Sequence, residues 1–512
     1  MNKNNECYFY NVLKEIVLSK QFIVLFFIYL LSVLTIIRAN YDYIDDLGRI
    51  IFGYCQWLNF SRYITEFFAP IINGDYILND ISPLPQILAC LFLAASSAIM
   101  LKAFSLNKET SLFSIIAVLP LGISPYFLEC LSFKFDAPFM AFSIFISILP
   151  ILFVKQLNYL KYFVLVFICT IAMCMSYQAS SGLYIMSLMF YLVCDWNRGE
   201  AARSCIEKFV VGFASFSSSV ILYKLLFVSE TKGYVSTSIA SYSHLLEKVL
   251  LNVKTYFALM STDNILLWKA LFVIICIMYL RSFTESSKKD KVFSFFVGLI
   301  TIPIGMVSSL GCYIFLEKLS FFPRTMYGIG VFLAIIALIS VNHLPKNLMA
   351  KIASCAMSWV LFSFAFCYGN ALAEQNHYDE FRTQLVIDDL YRNKDLLNNN
   401  SHRRIQLQGS TGYSPIVKRM VLRYGILGRL VPLKLNSDMD FGRIYPFYFF
   451  GLPNIDDDLS WENGYKVIDA TNMPIVVDTC YHTIKADDKS IVVIVKKREG
   501  IFGDIEVAKG LG

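Results

Sequence analysis

The sequence of 512 residues is 56% hydrophobic and only 16% charged, with a mean hydropathy of +0.55. Soluble globular chains carry about 45–50% apolar and about 25% charged residues, so this balance excludes an ordinary soluble protein. The net charge of +6 comes without a basic stripe interleaved with aromatics, which excludes nucleic acid as a partner and leaves the loop-borne Lys and Arg of a membrane protein.

Apolar runs of the length a bilayer requires, about 20 residues, recur along the chain. Eleven candidate spans are read at 21–38, 84–104, 111–123, 138–154, 162–178, 181–194, 209–228, 265–280, 293–316, 325–341 and 352–370. No small-residue cleavage site follows the first, so 21–38 is expected to be a retained span. Most of the thirteen cysteines lie inside these runs (Cys90, Cys169, Cys276, Cys355, Cys367), where they act as small hydrophobes. No His/Cys/Asp spacing points to a metal, and no cofactor is expected.

The first loop, 39–83, carries Asp45, Asp46 and Arg49 just after the first span. Adjacent carboxylates at a membrane surface must be solvated, paired or used. They read either as a solvated loop with an Arg–Asp pair, or as a general base for a hydroxyl with Arg49 orienting it or gripping a phosphate. The stretch 50–68, with Gln56, Asn59, Arg62 and Glu66 among aromatics, is too polar to span and suits an interfacial helix. The segment 124–138 reads as an outer loop in which Glu129, Lys134 and Asp136 form an internal salt bridge or bind sugar or phosphate. Tyr177 and Gln178 close the fifth span in a turn, where ring and amide suit a sugar or simply cap the turn. Arg324 opens the tenth span, either snorkelling to headgroups or clamping a lipid phosphate.

Residues 371–512 follow as a soluble tail. Tyr378, Phe381, Leu385, Ile387 and Leu390 recur at near-helical spacing, and strand-like runs follow at 404–408, 465–470, 474–478 and 490–495. The expected architecture is mainly α: a polytopic membrane bundle (1–370) with a C-terminal α/β or α+β domain (371–512).

An ordered series of motifs runs through the membrane part: Y-I-D-D-L-G-R at 43–49, G-Y-C-Q-W-L with Arg62, S-P-Y-F-L-E-C-L-S-F-K-F-D at 124–136, S-Y-Q-A-S at 176–180, F-F-P-R at 321–324 and C-Y-G-N-A-L-A-E-Q-N at 367–376. In these the chain resembles the serotype-converting O-antigen glucosyltransferases, the glucosyltransferase II group of bacteria and their phages. The resemblance implies a GT-C-like enzyme of the bacterial inner membrane, with the N-terminus cytoplasmic and the tail periplasmic. It would transfer a hexose, glucose by the resemblance, from a polyprenyl-phosphate carrier to lipopolysaccharide O-antigen with inversion. Membrane lipid would be its surroundings. It further implies Asp45 or Asp46 as base, Arg49, Lys134 and Arg324 at the donor phosphate, and Trp57, Arg62, Glu129, Asp136, Tyr177 and Gln178 at sugar or acceptor. An O-antigen polymerase or ligase, or a flippase for lipid-linked sugar, are the alternatives; a flippase would need charged or broken helices at mid-membrane.

Sixteen Lys and Arg fall in the loops assigned inside and eight in those assigned outside, which predicts N-in, C-out. Alkaline phosphatase fused after Gly512 is therefore expected to be active and a fusion after Lys289 inactive; an active Lys289 fusion would reverse the assignment.

Overall fold

The computed structural model describes residues 3–105, 110–228, 238–393, 396–397, 403–439, 445–452 and 467–497. Along the chain run α1 (Lys3–Val17), α2 (Lys20–Ala39), α3 (Asp45–Phe52), α4 (Tyr63–Asn73), α5 (Leu84–Phe104), α6 (Leu112–Val118), α7 (Pro120–Ile123), α8 (Pro125–Ser132), α9 (Ala137–Ile148), α10 (Tyr159–Ser176) and α11 (Leu183–Asn197). Then come α12 (Ala202–Leu226), α13 (Leu245–Asp263), α14 (Leu266–Glu285), α15 (Lys291–Ser308), α16 (Gly328–His343) and α17 (Leu348–Arg392). The remainder holds β1 (Arg404–Gly409), α18 (Pro415–Arg423), α19 (Leu427–Leu430), α20 (Tyr445–Tyr448), β2 (Ile475–Asp478), β3 (His482–Ala486) and β4 (Ser490–Val495).

The described residues fall into two compact units. Unit one comprises Met1–Ile37, Cys55–Gly74 and Ile81–Cys367; unit two comprises Arg38–Tyr54, Asp75–Asp80 and Tyr368–Gly512.

In unit one, α5 packs on α9, α10 on α12 and α14 on α16. Polar residues set the helix starts: Asn158 accepts from Lys161 N at 3.0 Å to open α10, and Asp290 accepts from Phe293 N at 2.8 Å to open α15. Among the described residues seven helices are long and apolar enough to cross a membrane: α2, α5, α10, α12, α14, α15 and α17. An eighth is gained if the pair 112–123 and 125–132, bent by 58°, counts as one crossing. The other expected spans, 138–154, 181–194 and 325–341, are helices of 12, 15 and 16 residues. Nearly every residue of α16 is buried, so it is surrounded by protein instead of lipid.

Three segments differ from the sequence reading. Residues 124–138 are a loop only over 133–136: Ser124 caps α8, Pro125 takes its first position, and all eight residues of α8 are buried. Residues 50–68 are not one interfacial helix. Gly53 and Ser61 turn the chain left-handed, and three pieces result: α3, a 3₁₀ turn at Trp57–Phe60, and α4. Part of the expected outer loop after α12 is α13, held by Asn252 Nδ2 donating to the carbonyls of Ile314 and Leu316, both at 3.0 Å, and by Tyr256 OH against Ser309 Oγ at 2.7 Å.

Unit two is built on a four-stranded sheet of order β1-β4-β3-β2, with β1 and β4 parallel and the other pairs antiparallel. The predicted strands at 404–408, 474–478 and 490–495 are present. Of the run at 465–470, residues 467–470 are not strand and the first two lie outside the described residues. Strand β3 (H-T-I-K-A) fills that need instead: alternation is hidden because four of its five side chains are buried. The apolar face of the last turns of α17 (Val386, Ile387, Leu390) packs with Ile405, Leu407, Ile484, Ile491 and Val493 in one core. Arg382, 2% exposed, locks this layer. Its Nη2 donates to the Tyr481 and Lys496 carbonyls at 2.7 and 2.8 Å, and its plane lies over the Tyr378 and Tyr481 rings.

Removing this guanidinium takes the side-chain donor from the part-buried Lys496 carbonyl, a loss of about 1–3 kcal/mol, while the Tyr481 carbonyl keeps the Lys496 N–H at 2.9 Å. Arg382→Ala is expected to make the tail cleavable by limited proteolysis in detergent while the fragments from unit one stay intact. Protease resistance equal to wild type would contradict this account.

Candidate active site

Eight of the eleven residues singled out from the sequence lie in unit one, and contacts tie Trp57, Arg62, Glu129, Asp136, Tyr177, Gln178 and Arg324 into one polar cluster among aromatic rings. It begins with the 3₁₀ turn Trp57–Phe60, flanked by Gln56 and Ser61, both non-glycine residues at φ 57°. Such left-handed positions cost about 1–3 kcal/mol each and persist only where surroundings hold them. Here Glu66 of α4 holds them, its Oε2 accepting from the backbone N–H of Trp57 at 2.6 Å and of Leu58 at 3.2 Å. Fully buried Trp57 then donates Nε1–H to Asp136 Oδ1 at 2.7 Å.

Arg62 follows the turn. Its Nη1 stands 3.5 Å from Asp136 Oδ1 and its Nε 3.5 Å from Gln178 Oε1. Its guanidinium carbon sits 4.6 Å above the Tyr177 ring and 5.3 Å from Phe60. Gln178 is fixed from its other end, Nε2 donating to the Phe60 carbonyl and Tyr223 OH, both at 2.8 Å. Tyr177 OH donates to the Arg324 carbonyl at 3.2 Å and its ring stacks on Tyr327 with centroids 6.2 Å apart.

Arg324 is the second cation. Glu129, 1% exposed, takes Arg324 Nη1 on Oε1 at 2.6 Å and its backbone N–H on Oε2. The guanidinium lies 4.2 Å from the Phe322 ring and 5.4 Å from Phe133. Lys134, also buried, is one residue along from Phe133. Glu129, Arg324, Arg62 and Asp136 all lie close enough to Cys130 of α8 to act on it electrostatically. Two long-range pairs hold these carboxylates, Glu129–Arg324 and Asp136–Arg62.

Helix α8, which bears Glu129, and α16, which begins four residues after Arg324, also bound an apolar cavity of about 240 Å³. Pro125 and Tyr126 of α8 line it, one turn from Glu129, with Phe272, Met306, Leu333 and Leu361; Lys269, Ser261 and Asn264 lie at its polar edge.

Asp45, Asp46 and Arg49 lie in unit two on α3. Asp46 is fully buried and its Oδ2 accepts from Tyr43 N at 3.4 Å, whereas Asp45 is half-buried. Gly48 is dictated by Tyr54, whose hydroxyl would meet a Cβ there at 2.2 Å. Burial and neighbouring Tyr445 hold the Tyr54 hydroxyl protonated well above the ordinary phenol range, against the opposing pull of Arg49. Beside α3, Phe52 makes edge contacts with Tyr445 and Tyr448 at 5.9 and 5.6 Å.

Residues 34–340 match the family Glucosyl transferase GtrII. The chain belongs to this family. Membership makes it a glycosyltransferase of the glucosyltransferase class, and its long apolar helices mark it as a membrane protein. It is also 27% identical over 452 residues (83% of this chain, 89% of the relative) to an uncharacterised 55.3 kDa protein encoded in the gtrB 5′ region of Salmonella phage P22. No solved structure matches.

Sequence reasoning gave no site role to the scaffolding of this glucosyltransferase: Glu66, Phe60, Tyr223, Phe322 and Tyr327. Two signals were present, Glu66 as a charge among the aromatics of 50–68 and the F-F-P-R motif, which places an aromatic two residues before Arg324. Removing one partner of a buried ion pair costs about 3–5 kcal/mol, whereas an apolar replacement of both is near neutral. Glu129→Ala is therefore expected to lower the melting temperature in detergent sharply. Adding Arg324→Leu should restore much of it without restoring transfer, and failure of the double variant to recover would show that the pair is not what Glu129 serves.

Proposed function

We propose that this glucosyltransferase moves one glucose from a polyprenyl-phosphate carrier, on the periplasmic face of the bacterial inner membrane, to a hydroxyl of lipopolysaccharide O-antigen. The observation that carries the proposal is the pair of guanidiniums, Arg62 and Arg324. Each lies over aromatic rings and is oriented by its own carboxylate, Asp136 and Glu129. Transfer from a lipid phosphate builds negative charge on the departing phosphate, and fixed cations in a water-poor setting stabilise it better than solvent does. Arg suits this task because its planar fork matches phosphate oxygens. The same rings offer faces on which a hexose can stack, with the Gln178 amide for its hydroxyls. The apolar cavity beside α8 supports a prenyl chain as the carrier.

The acceptor hydroxyl attacks the anomeric carbon as the bond to phosphate opens, so the transition state has oxocarbenium character and one displacement inverts the centre. A base must take the hydroxyl proton, and the proposal assigns it to Asp45. Asp46 is wholly buried with one oxygen committed to the Tyr43 N–H, which suits it to holding the turn before α3. Lys134 and Arg49 are assigned to phosphate, and Trp57 to positioning Asp136.

Purified protein incubated with labelled polyprenyl-phosphate glucose and O-antigen lipopolysaccharide is expected to transfer single hexoses. Asp45→Asn should lose about 10²–10⁴ in rate with donor binding kept, and Arg62→Lys should weaken donor binding and rate together. Chain lengthening of O-antigen, or wild-type rates in both variants, would overturn the proposal.

A further inference from the structure

A second polar cluster lies at the other end of α16. That helix begins four residues after Arg324 and ends on His343, about 24 Å along its axis at 1.5 Å per residue. His343 is 5% exposed. Its Nδ1 is 3.2 Å from Ser286 Oγ, and its Nε2, shut off from solvent, has no hydrogen-bond partner among the described residues. Arg198, at the C-terminal end of α11, is near enough to act electrostatically on the imidazole. Two of its guanidinium atoms, Nε and Nη2, are likewise buried and unpartnered. Neighbouring Asn197 donates Nδ2–H to the Phe283 carbonyl at 2.7 Å, which brings this corner against the end of α14, where Thr284 Oγ1 is a further buried atom without a partner.

The two idle atoms of Arg198 are not a random pair. Nε–H and Nη2–H form one edge of the guanidinium, the side-on fork that grips two oxygens of an anion in parallel. A buried charged donor left unsatisfied is costly. The carboxylates adjacent in sequence each have a cation of their own, although the same helix end also holds two buried acceptors without a partner among the described residues, Asp195 Oδ2 and Asn197 Oδ1. Asp195 Oδ1 is held by Lys155 at 2.5 Å, Glu200 by Lys208 at 3.8 Å and Glu285 by Arg281 at 2.8 Å. The loop at 286–290 adds Lys288, whose N–H bonds the Asn197 carbonyl at 2.9 Å, and Lys289, whose Nζ bonds the Gly199 carbonyl at 3.2 Å.

We infer that this corner of unit one is a second anion site, in which Arg198 takes two oxygens of a phosphate group side-on and His343 Nε2 holds a third. Ser286 Oγ has two neighbours for its one hydrogen, the Phe283 carbonyl at 3.3 Å and His343 Nδ1 at 3.2 Å. With the hydrogen given to Nδ1, Nε2 carries the imidazole hydrogen and is the donor that an anion requires. A phosphate, with more oxygens than a carboxylate, accepts from both residues at once. The site is separate from the Arg62–Arg324 cluster and needs no glucosyl transfer to be occupied. Its phosphate can come from a phospholipid headgroup or from free phosphate.

The test uses the full chain purified in detergent. Native mass spectrometry reads retention of phosphatidylglycerol against diacylglycerol of the same chains, and equilibrium dialysis reads binding of inorganic phosphate. Retention of the phospholipid alone assigns a headgroup, and dialysis binding assigns free phosphate. In either case Arg198→Lys, which keeps the charge but loses the fork, should weaken binding about tenfold, the loss of roughly one charge-assisted hydrogen bond. His343→Ala, which removes one donor, should weaken it less, and it serves if Arg198→Lys does not fold. Equal retention of diacylglycerol, no binding of either phosphate source, or binding unaltered in a folded variant would overturn the site and leave water as the occupant of the corner.

Discussion

Glu129 accepts from both the side chain and the backbone N–H of Arg324, and much of unit one follows from that double contact. A carboxylate 1% exposed on a wholly buried helix is tolerable only if its charge is matched and its oxygens are used. Matching it with Arg324 pins the chain at 322–325 against α8. That in turn places the Arg324 carbonyl where Tyr177 can donate to it, and sets the start of α16 behind Tyr327. One ion pair thus orders a cation, a stacking surface and a helix. Its partner, Asp136 with Arg62 and Trp57, repeats the logic on the neighbouring turn with a longer contact.

The division of labour between polar and apolar groups is sharp. Around the two guanidiniums the rings of Phe60, Phe133, Tyr177 and Phe322 supply faces, not solvent. Charges in such surroundings act over short distances with little screening. In the proposed reaction a departing phosphate would meet cations whose positions are already fixed by protein carboxylates, so that nothing has to reorganise as charge develops.

Much of this was legible in the sequence, for physical reasons that also explain the gaps. Long apolar runs such as 21–38 and 84–104 can be satisfied only as helices, and they are helices. The acidic, basic and aromatic residues at 124–136, 176–180 and 321–324 stood out because charge amid apolar residues must be paired. Which partner each takes was not legible, since Glu129 and Arg324 are 195 residues apart and only the fold brings them together. Local signals misled where tertiary contacts override them. Residues 125–132 look like part of a loop by their charged neighbours but fold as a buried helix, and β3 is buried on nearly every side, so it lacks the alternation that reveals a strand. Arg198 and His343 gave no signal at all, because an unpartnered edge of a guanidinium is a property of the fold.

Helix α16 carries almost nothing but aliphatic side chains between Tyr327 and His343, a composition that many sequences could supply. Its length is another matter. Each residue advances the helix by about 1.5 Å and turns it by about 100°, so a single insertion or deletion would swing His343 away from Ser286 while Tyr327 kept its place. Drift in this stretch is therefore confined to the identities of its residues. Descendants of this chain can exchange aliphatic side chains only where volume is kept, with Gly328 and Gly330 leaving no room for a Cβ, and they inherit its residue count unchanged.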